Sequence, residues 1–183
     1  MKHITTLITI LFITLLSSTS WGDTMDDLVK RNDLYYKKFT DVPFTGKVTG
    51  QWDGQIKNGK RKGSWIKYYE NGQLRVKENY KDGELDGLQE EYYENGKLRK
   101  KENYKDGNPD GLWEYFNEDG SLRKTKTYKD GKPDGLFETY RENGQLWYKQ
   151  NYKDGKKEGL WEYFNEDGFL TRTETYKDGE LVE

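Results

Sequence analysis

Carboxylates are the residues in this chain that recur with the density and spacing chemistry would require. Acidic pairs occur at Glu118-Asp119 and Glu166-Asp167, while Asp106/Asp110 and Asp130/Asp134 repeat a four-residue spacing. Two carboxylates fixed across a cleft could hydrolyse a glycoside. Clustered Asp on Gly-rich loops could bind calcium, which needs six or more oxygens from a folded loop. Both readings meet the same objection. These acids stand beside glycines in stretches composed like tight turns, where Asp and Asn bond locally to the backbone and Gly supplies positive φ. The D-x-[DN]-x-[DN]-G pattern with its distal Glu is missing. The chain has no cysteine, and its one histidine is His3. Past that residue, His-based triads, thiol nucleophiles, zinc sites of the usual kind and haem ligation have nothing to work with. The expectation is a protein without enzymatic activity, metal or cofactor.

The chemistry that remains is that of rings. Aromatic residues make up 15% of the chain, although 35% is charged and the mean hydropathy is −1.20. Charge of that density normally marks disorder, but disordered chains are poor in aromatics. Here the rings can supply the apolar area that a thin sheet needs. Ahead of this composition lies a different one. Lys2 and His3 precede an apolar run from Ile4 to Leu16, and Ser20 and Gly22 suit the −3 and −1 positions of a signal-peptidase site. The run is shorter than the ~18–20 residues of a membrane span. Residues 1–22 are expected to be a cleaved signal peptide, the mature chain to begin at Asp23, and the protein to be exported to the periplasm or outside the cell. Taking Lys2 from the 31 basic residues leaves 30 against 33 acidic ones. That balance argues against nucleic acid, which calls for a basic stripe. Lysines such as Lys100, Lys101, Lys124 and Lys126 could line a stripe for acidic lipid, but neighbouring Glu and Asp cancel most of it.

The elements that position the rings are set by a period. Lys-Asp-Gly occurs at 81–83, 105–107, 129–131, 153–155 and 177–179, always 24 residues apart, and Lys57-Asn58-Gly59 extends the series. A fixed period of this size marks a repeat array, whose units bury a core only by stacking. Within the unit 111–134, Leu112 to Phe116 and Leu122 to Tyr128 have strand composition. Glu118-Asp119-Gly120 between them predicts a three-residue hairpin loop with glycine in the left-handed position. A plain register then pairs Glu114 with Lys124, Glu90 with Lys100, Glu162 with Arg172 and Ile66 with Val76, as cross-strand preferences favour. Glu138 opposite Tyr148 is its exception. Alternation places Leu112, Phe116, Leu122 and Tyr128 on one face, expected to pack. The other face carries Trp113 and Tyr115, repeated as Trp161 and Tyr163, with Trp65 and Phe137 in equivalent places. Trp65, Trp113, Tyr115, Phe137, Trp161 and Tyr163 are the candidate binding residues, with ring neighbours from adjacent units ~10 Å apart.

The predicted fold is all-β: an elongated antiparallel meander or solenoid of 24-residue hairpins. The repeat domain covers 44–183, with units near 63–86, 87–110, 111–134, 135–158 and 159–182, a partial unit before them, and about ten strands at ~4.8 Å spacing. Residues 23–43 are expected to form a cap hairpin around Asn32-Asp33, with a short helix at 26–31 as the alternative.

Gly111, Trp113, Phe116, Asp119, Gly120, Leu122, Tyr128, Asp130 and Gly131 form a unit that resembles the MORN-repeat-variant family, the bacterial group often labelled YwqK-type antitoxin. Pro43-Phe44-Thr45-Gly46 is similar to the family's entry into its first repeat. The resemblance covers about 28–182. It implies scaffolding, dimerisation or lipid association, and the label implies neutralising a toxin by binding it. An export signal separates this chain from an antitoxin that meets a cytoplasmic toxin. Fold does not fix activity. The expected function is therefore an exported, non-enzymatic repeat protein that binds a protein partner through its sheet. A module binding envelope carbohydrate or lipid and a toxin-neutralising protein are the alternatives.

Overall fold

The computed structural model describes residues 22–182, so the expected signal peptide lies outside the described residues except for Gly22. The hairpin of the third unit pairs Gly111–Phe116 with Leu122–Lys129. Its loop closes as the sequence predicts: Gly120 N–H donates to Asn117 O and Asn117 N–H to Ser121 O, each at 2.9 Å, with Gly120 at φ +90°. Glycine holds that conformation without strain. A second, tighter turn follows. Lys129 pairs with Lys132 across Asp130 and Gly131, whose φ values of +47° and +82° suit a two-residue type I′ turn. The period of the sequence is thus a period of two turns, one at each end of the second strand.

Stacked units form one antiparallel sheet of 16 strands, running from Gly46–Val48 at one edge to Glu180–Leu181 at the other. Besides the long strands of the five units, it includes the partial unit and short returns such as Asn108–Pro109, which folds back on Lys105 and Tyr104. The tight turns are tied in series. Gly131 N–H donates to Pro109 O at 2.8 Å, Gly155 N–H to Pro133 O at 2.8 Å, and Gly179 N–H to Lys157 O at 3.0 Å.

The register differs from the plain one, and the difference recurs in every unit. Phe116 pairs with Leu122, but Tyr115 pairs with Lys124, so Arg123 is an extra residue. The same bulge falls at Arg75, Arg99, Trp147 and Thr171. A bulge of this kind sets two residues against one and shifts all that follows. Glu114 therefore faces Thr125 rather than Lys124, Glu90 faces Lys101, Glu162 faces Thr173, and Val76 faces Lys67 rather than Ile66. Glu138, the expected exception, faces Lys149. Opposite charges meet within units, as in Glu91 with Arg99 at 2.7 Å, and between units, as in Lys101 with Glu114 at 3.8 Å and Lys149 with Glu162 at 3.7 Å.

At the N-terminal end, Leu28–Arg31 and Leu34–Lys37 pair around Asn32-Asp33 as a separate two-stranded sheet. The helix alternative shrinks to one 3-10 turn at Met25–Asp27. The hairpin packs on the array instead of extending it. Tyr35 N–H donates to Gly59 O at 2.8 Å, and Leu28 joins a buried cluster with Phe44, Val48, Ile56 and Trp65. The edge strand Gly46–Val48 is met by Asp23, whose carbonyl accepts from Thr49 N–H at 2.9 Å.

Candidate functional site

The bulge decides which side chains share a face. Because Gly111 pairs with Tyr128 and Trp113 with Lys126, Tyr128 lies with the tryptophans, not with Leu112 and Phe116 as expected. The result is a continuous ladder: Tyr104–Trp113 at 5.1 Å between ring centroids, Trp113–Tyr128 at 4.7 Å, Tyr128–Phe137 at 5.5 Å, Phe137–Tyr152 at 4.6 Å, Tyr152–Trp161 at 5.4 Å and Trp161–Tyr176 at 4.8 Å. A tyrosine thus sits between each pair of rings that the sequence reading places side by side. Trp65 continues the pattern in the first unit, edge-on to Trp52 and Tyr80, and is fully buried. Gly54 lies under its indole, where any Cβ would collide with the ring.

The ring face is therefore the packing face, which corrects the expected assignment. Trp65, Phe137 and Trp161 are buried; Trp113, Tyr115 and Tyr163 are half-buried. The indoles are also hydrogen-bonded: Trp113 Nε1 donates to Asn103 O at 2.9 Å and Trp161 Nε1 to Asn151 O at 3.0 Å. The phenols of Tyr115 and Tyr163 donate to Glu102 and Glu174, each at 2.9 Å. All six candidate residues belong to one packed layer, and little of the buried ones is left for a partner to touch.

Sequence reasoning missed the charged members of that layer. Glu102 is 3% exposed and accepts from Tyr104, Tyr115 and Lys100. Glu78 is buried and accepts from Tyr80 and from Gln89, which stands where other units carry Trp or Phe. Burial first, then the neighbouring Glu78 charge, push the Tyr80 phenol up to about 12. Burial and Glu102 likewise push Tyr104 and Tyr115 well above the usual phenol range. Cations cap the layer at its two ends. The Arg61 guanidinium lies 4.4 Å from the Trp65 centroid and 4.8 Å from that of Trp52, while Lys157 Nζ lies 4.2 Å from Trp161 and 4.3 Å from Tyr176. Such contacts hold best where water is excluded. In the sequence these residues read as solvated sheet, because the bulge that turns them inward carries no mark of its own.

Five stretches, 61–82, 85–106, 109–130, 133–154 and 157–178, match the MORN repeat variant, and together they cover more than half the chain. The chain belongs to the MORN repeat variant family. The last four MORN matches open on the return-strand residue paired with a ladder tyrosine (Leu85, Pro109, Pro133 and Lys157), the first opens on Arg61 opposite Ile56, and all five close on the Asp of the tight turn. A comparison with curated proteins found no match.

Turning the rings inward turns the leucines outward. Leu112 and Leu160 occupy the same place in their MORN units and are 50% and 48% exposed. Across the same outward face run Lys77, Glu90, Lys101 and Glu114, then Glu138, Lys149 and Glu162, joined by cross-strand pairing. The surface open to contact is thus a row of leucines beside a ladder of alternating charge. Among the described residues, no group of three or more acidic, His or Cys side chains is placed to hold a metal.

Proposed function

We propose that this MORN-repeat protein is a non-enzymatic binding protein, exported after removal of residues 1–22, that holds a protein partner on the outward face of its sheet. The exposure of Leu112 and Leu160 carries the reading. Apolar side chains repeated along one face, beside charges partly neutralised by the Lys101–Glu114 and Lys149–Glu162 pairs, give a partner apolar contact area with less charge to desolvate. Toxin neutralisation is a special case of this proposal, with the toxin as partner. The array suits a binding role because its surface is built jointly by all units, which inter-unit hydrogen bonds tie together.

The test is a photo-crosslinking residue placed at Leu112 in one protein and at the buried position Phe137 in another. Crosslinks to one defined protein from position 112, lost when Leu160 is changed to Asp, are expected. Crosslinks only from the Phe137 protein, or an unchanged yield after Leu160→Asp in a protein that melts normally, would refute the outward face. The export step is checked by N-terminal sequencing of the protein from the cell envelope, with Asp23 expected as the first residue.

A further inference from the structure

In the first, second and fourth MORN units, the residue before the three-residue loop and the residue in the bulge form a pair. Arg75 lies over the Tyr69 ring at 5.4 Å, Arg99 over Tyr93 at 5.8 Å, and in the fourth unit the roles swap, with Arg141 over Trp147 at 5.1 Å. The loop member of each pair also clamps its unit to the next. Tyr69 donates to Tyr92 O at 2.6 Å, Tyr93 to Phe116 O at 2.8 Å, and Arg141 Nη2 to Phe164 O at 2.9 Å.

The third unit breaks both patterns. Its loop residue is Asn117, which is too short to clamp; it donates instead to Ser121 Oγ within its own loop at 3.0 Å. Arg123 then has no ring beneath it, and no carboxylate pairs with it among the described residues, whereas Arg31, Arg61, Arg99 and Arg172 each have one. A crevice of about 450 Å³ lies between the third and fourth units, lined by Asn117, Arg123, Thr139, Tyr140, Arg141, Glu142 and Trp147. Arg141 likewise has no carboxylate partner among the described residues, and neither its Nε nor the Thr139 hydroxyl finds a hydrogen-bond partner there. Trp147 is 47% exposed. The floor is firm, because the sheet at this seam pairs Lys124, Thr125 and Lys126 with Thr139, Glu138 and Phe137.

We infer that this crevice is a binding site for an acidic saccharide, a hexuronate residue of a polymer. The Arg123 guanidinium, with neither ring nor carboxylate on it, supplies a fork for one carboxylate, and Arg141, whose Nη2 is held by Phe164 O, adds positive charge beside it. The exposed indole of Trp147 offers an apolar face for a pyranose ring. Glu142 and Asn117 supply acceptors for hydroxyls, which a bare aromatic acid would leave unused. The site is separate from the outward leucine row, so either reading can fail without the other.

The experiment titrates the protein with tri-galacturonate while following intrinsic tryptophan fluorescence and the Trp147 indole N–H resonance. Saturable binding is expected. Trp147→Thr and Arg123→Gln should each weaken it roughly thirty-fold or more, the loss expected when a central ring or Arg is removed. Both positions are exposed, so circular-dichroism melts should be unchanged. A neutral galactose trisaccharide, benzoate and a tri-glutamate peptide should bind at least ten times more weakly. Equal binding of the neutral sugar would overturn the carboxylate role. Equal binding of benzoate or the acidic peptide would overturn the saccharide assignment. No saturable binding of tri-galacturonate, or binding unchanged in Trp147→Thr, would overturn the site.

Discussion

At the scale of single residues, burial on the ring face makes two predictions. The first concerns tyrosine ionisation. Tyr80 is held up at about 12, and Tyr104 and Tyr115 are raised further, all chiefly by burial. An unfolded tyrosine ionises near 10. Below that pH both states keep the phenolic proton, and stability does not depend on it. Above it the unfolded chain loses protons that the folded chain retains, so stability falls as pH rises from about 10 towards the folded values. Absorbance at 295 nm should show a native fraction of tyrosines titrating late, and the lag should vanish in urea. A native titration that overlays the urea curve would contradict the burial of these phenols. The second concerns side-chain volume. Trp65→Ala empties a fully buried site and should cost about 3–5 kcal/mol. Leu112→Ala on the outward face should change stability by no more than about 0.5 kcal/mol. Urea midpoints settle it, and equal shifts would mean that the faces have been exchanged.

At the scale of the element, the hairpin depends on its bulge. Removing Arg99 would restore the plain register of the second unit and turn Glu102 and Tyr104 to the outer face, since a one-residue slip moves every later side chain across the sheet. That deletion should abolish the single cooperative melt, whereas Arg99→Ala, which keeps the residue count, should cost about 0.5–1 kcal/mol. The same bulge marks where sequence reading stopped. The period of 24, both turns of each unit and the all-β array follow from Asp-Gly and Asn-Gly placement, because turn chemistry is local. The face of Tyr128 does not follow. Nothing at Arg75, Arg99, Arg123, Trp147 or Thr171 announces a bulge, as the five share neither size nor charge. With the plain register, Trp113 and Tyr115 look like a free aromatic surface and Glu102 like a solvated charge. One uncounted residue per unit exchanges the two readings. The candidate site was legible as a set of related positions and illegible as to which side of the sheet they occupy.

At the scale of the molecule, an array of this kind is stabilised by the sum of its units and the interfaces between neighbours. The loop-end clamp is present between the first and second, second and third, and fourth and fifth units. The seam between the third and fourth lacks it, because Asn117 stands where Tyr69 and Tyr93 stand. Asn117→Tyr should restore it, with the new phenol donating to Tyr140 O as its counterparts donate to Tyr92 O and Phe116 O, and its ring passing under Arg123. One added hydrogen bond contributes about 0.5–1.5 kcal/mol, so the melt should move upward and amide exchange in the two hairpins at the seam should slow. The same ring would fill the crevice, and tri-galacturonate binding should be lost. Asn117→Phe separates the two effects, since it fills the space without supplying the hydroxyl. It should abolish sugar binding while leaving amide exchange at the seam close to that of the parent. If Asn117→Tyr stabilises the protein yet binds the sugar unchanged, the clamp account stands and the ligand does not occupy the seat of the missing ring. If neither variant changes stability or exchange, the opening between the third and fourth units owes nothing to residue 117.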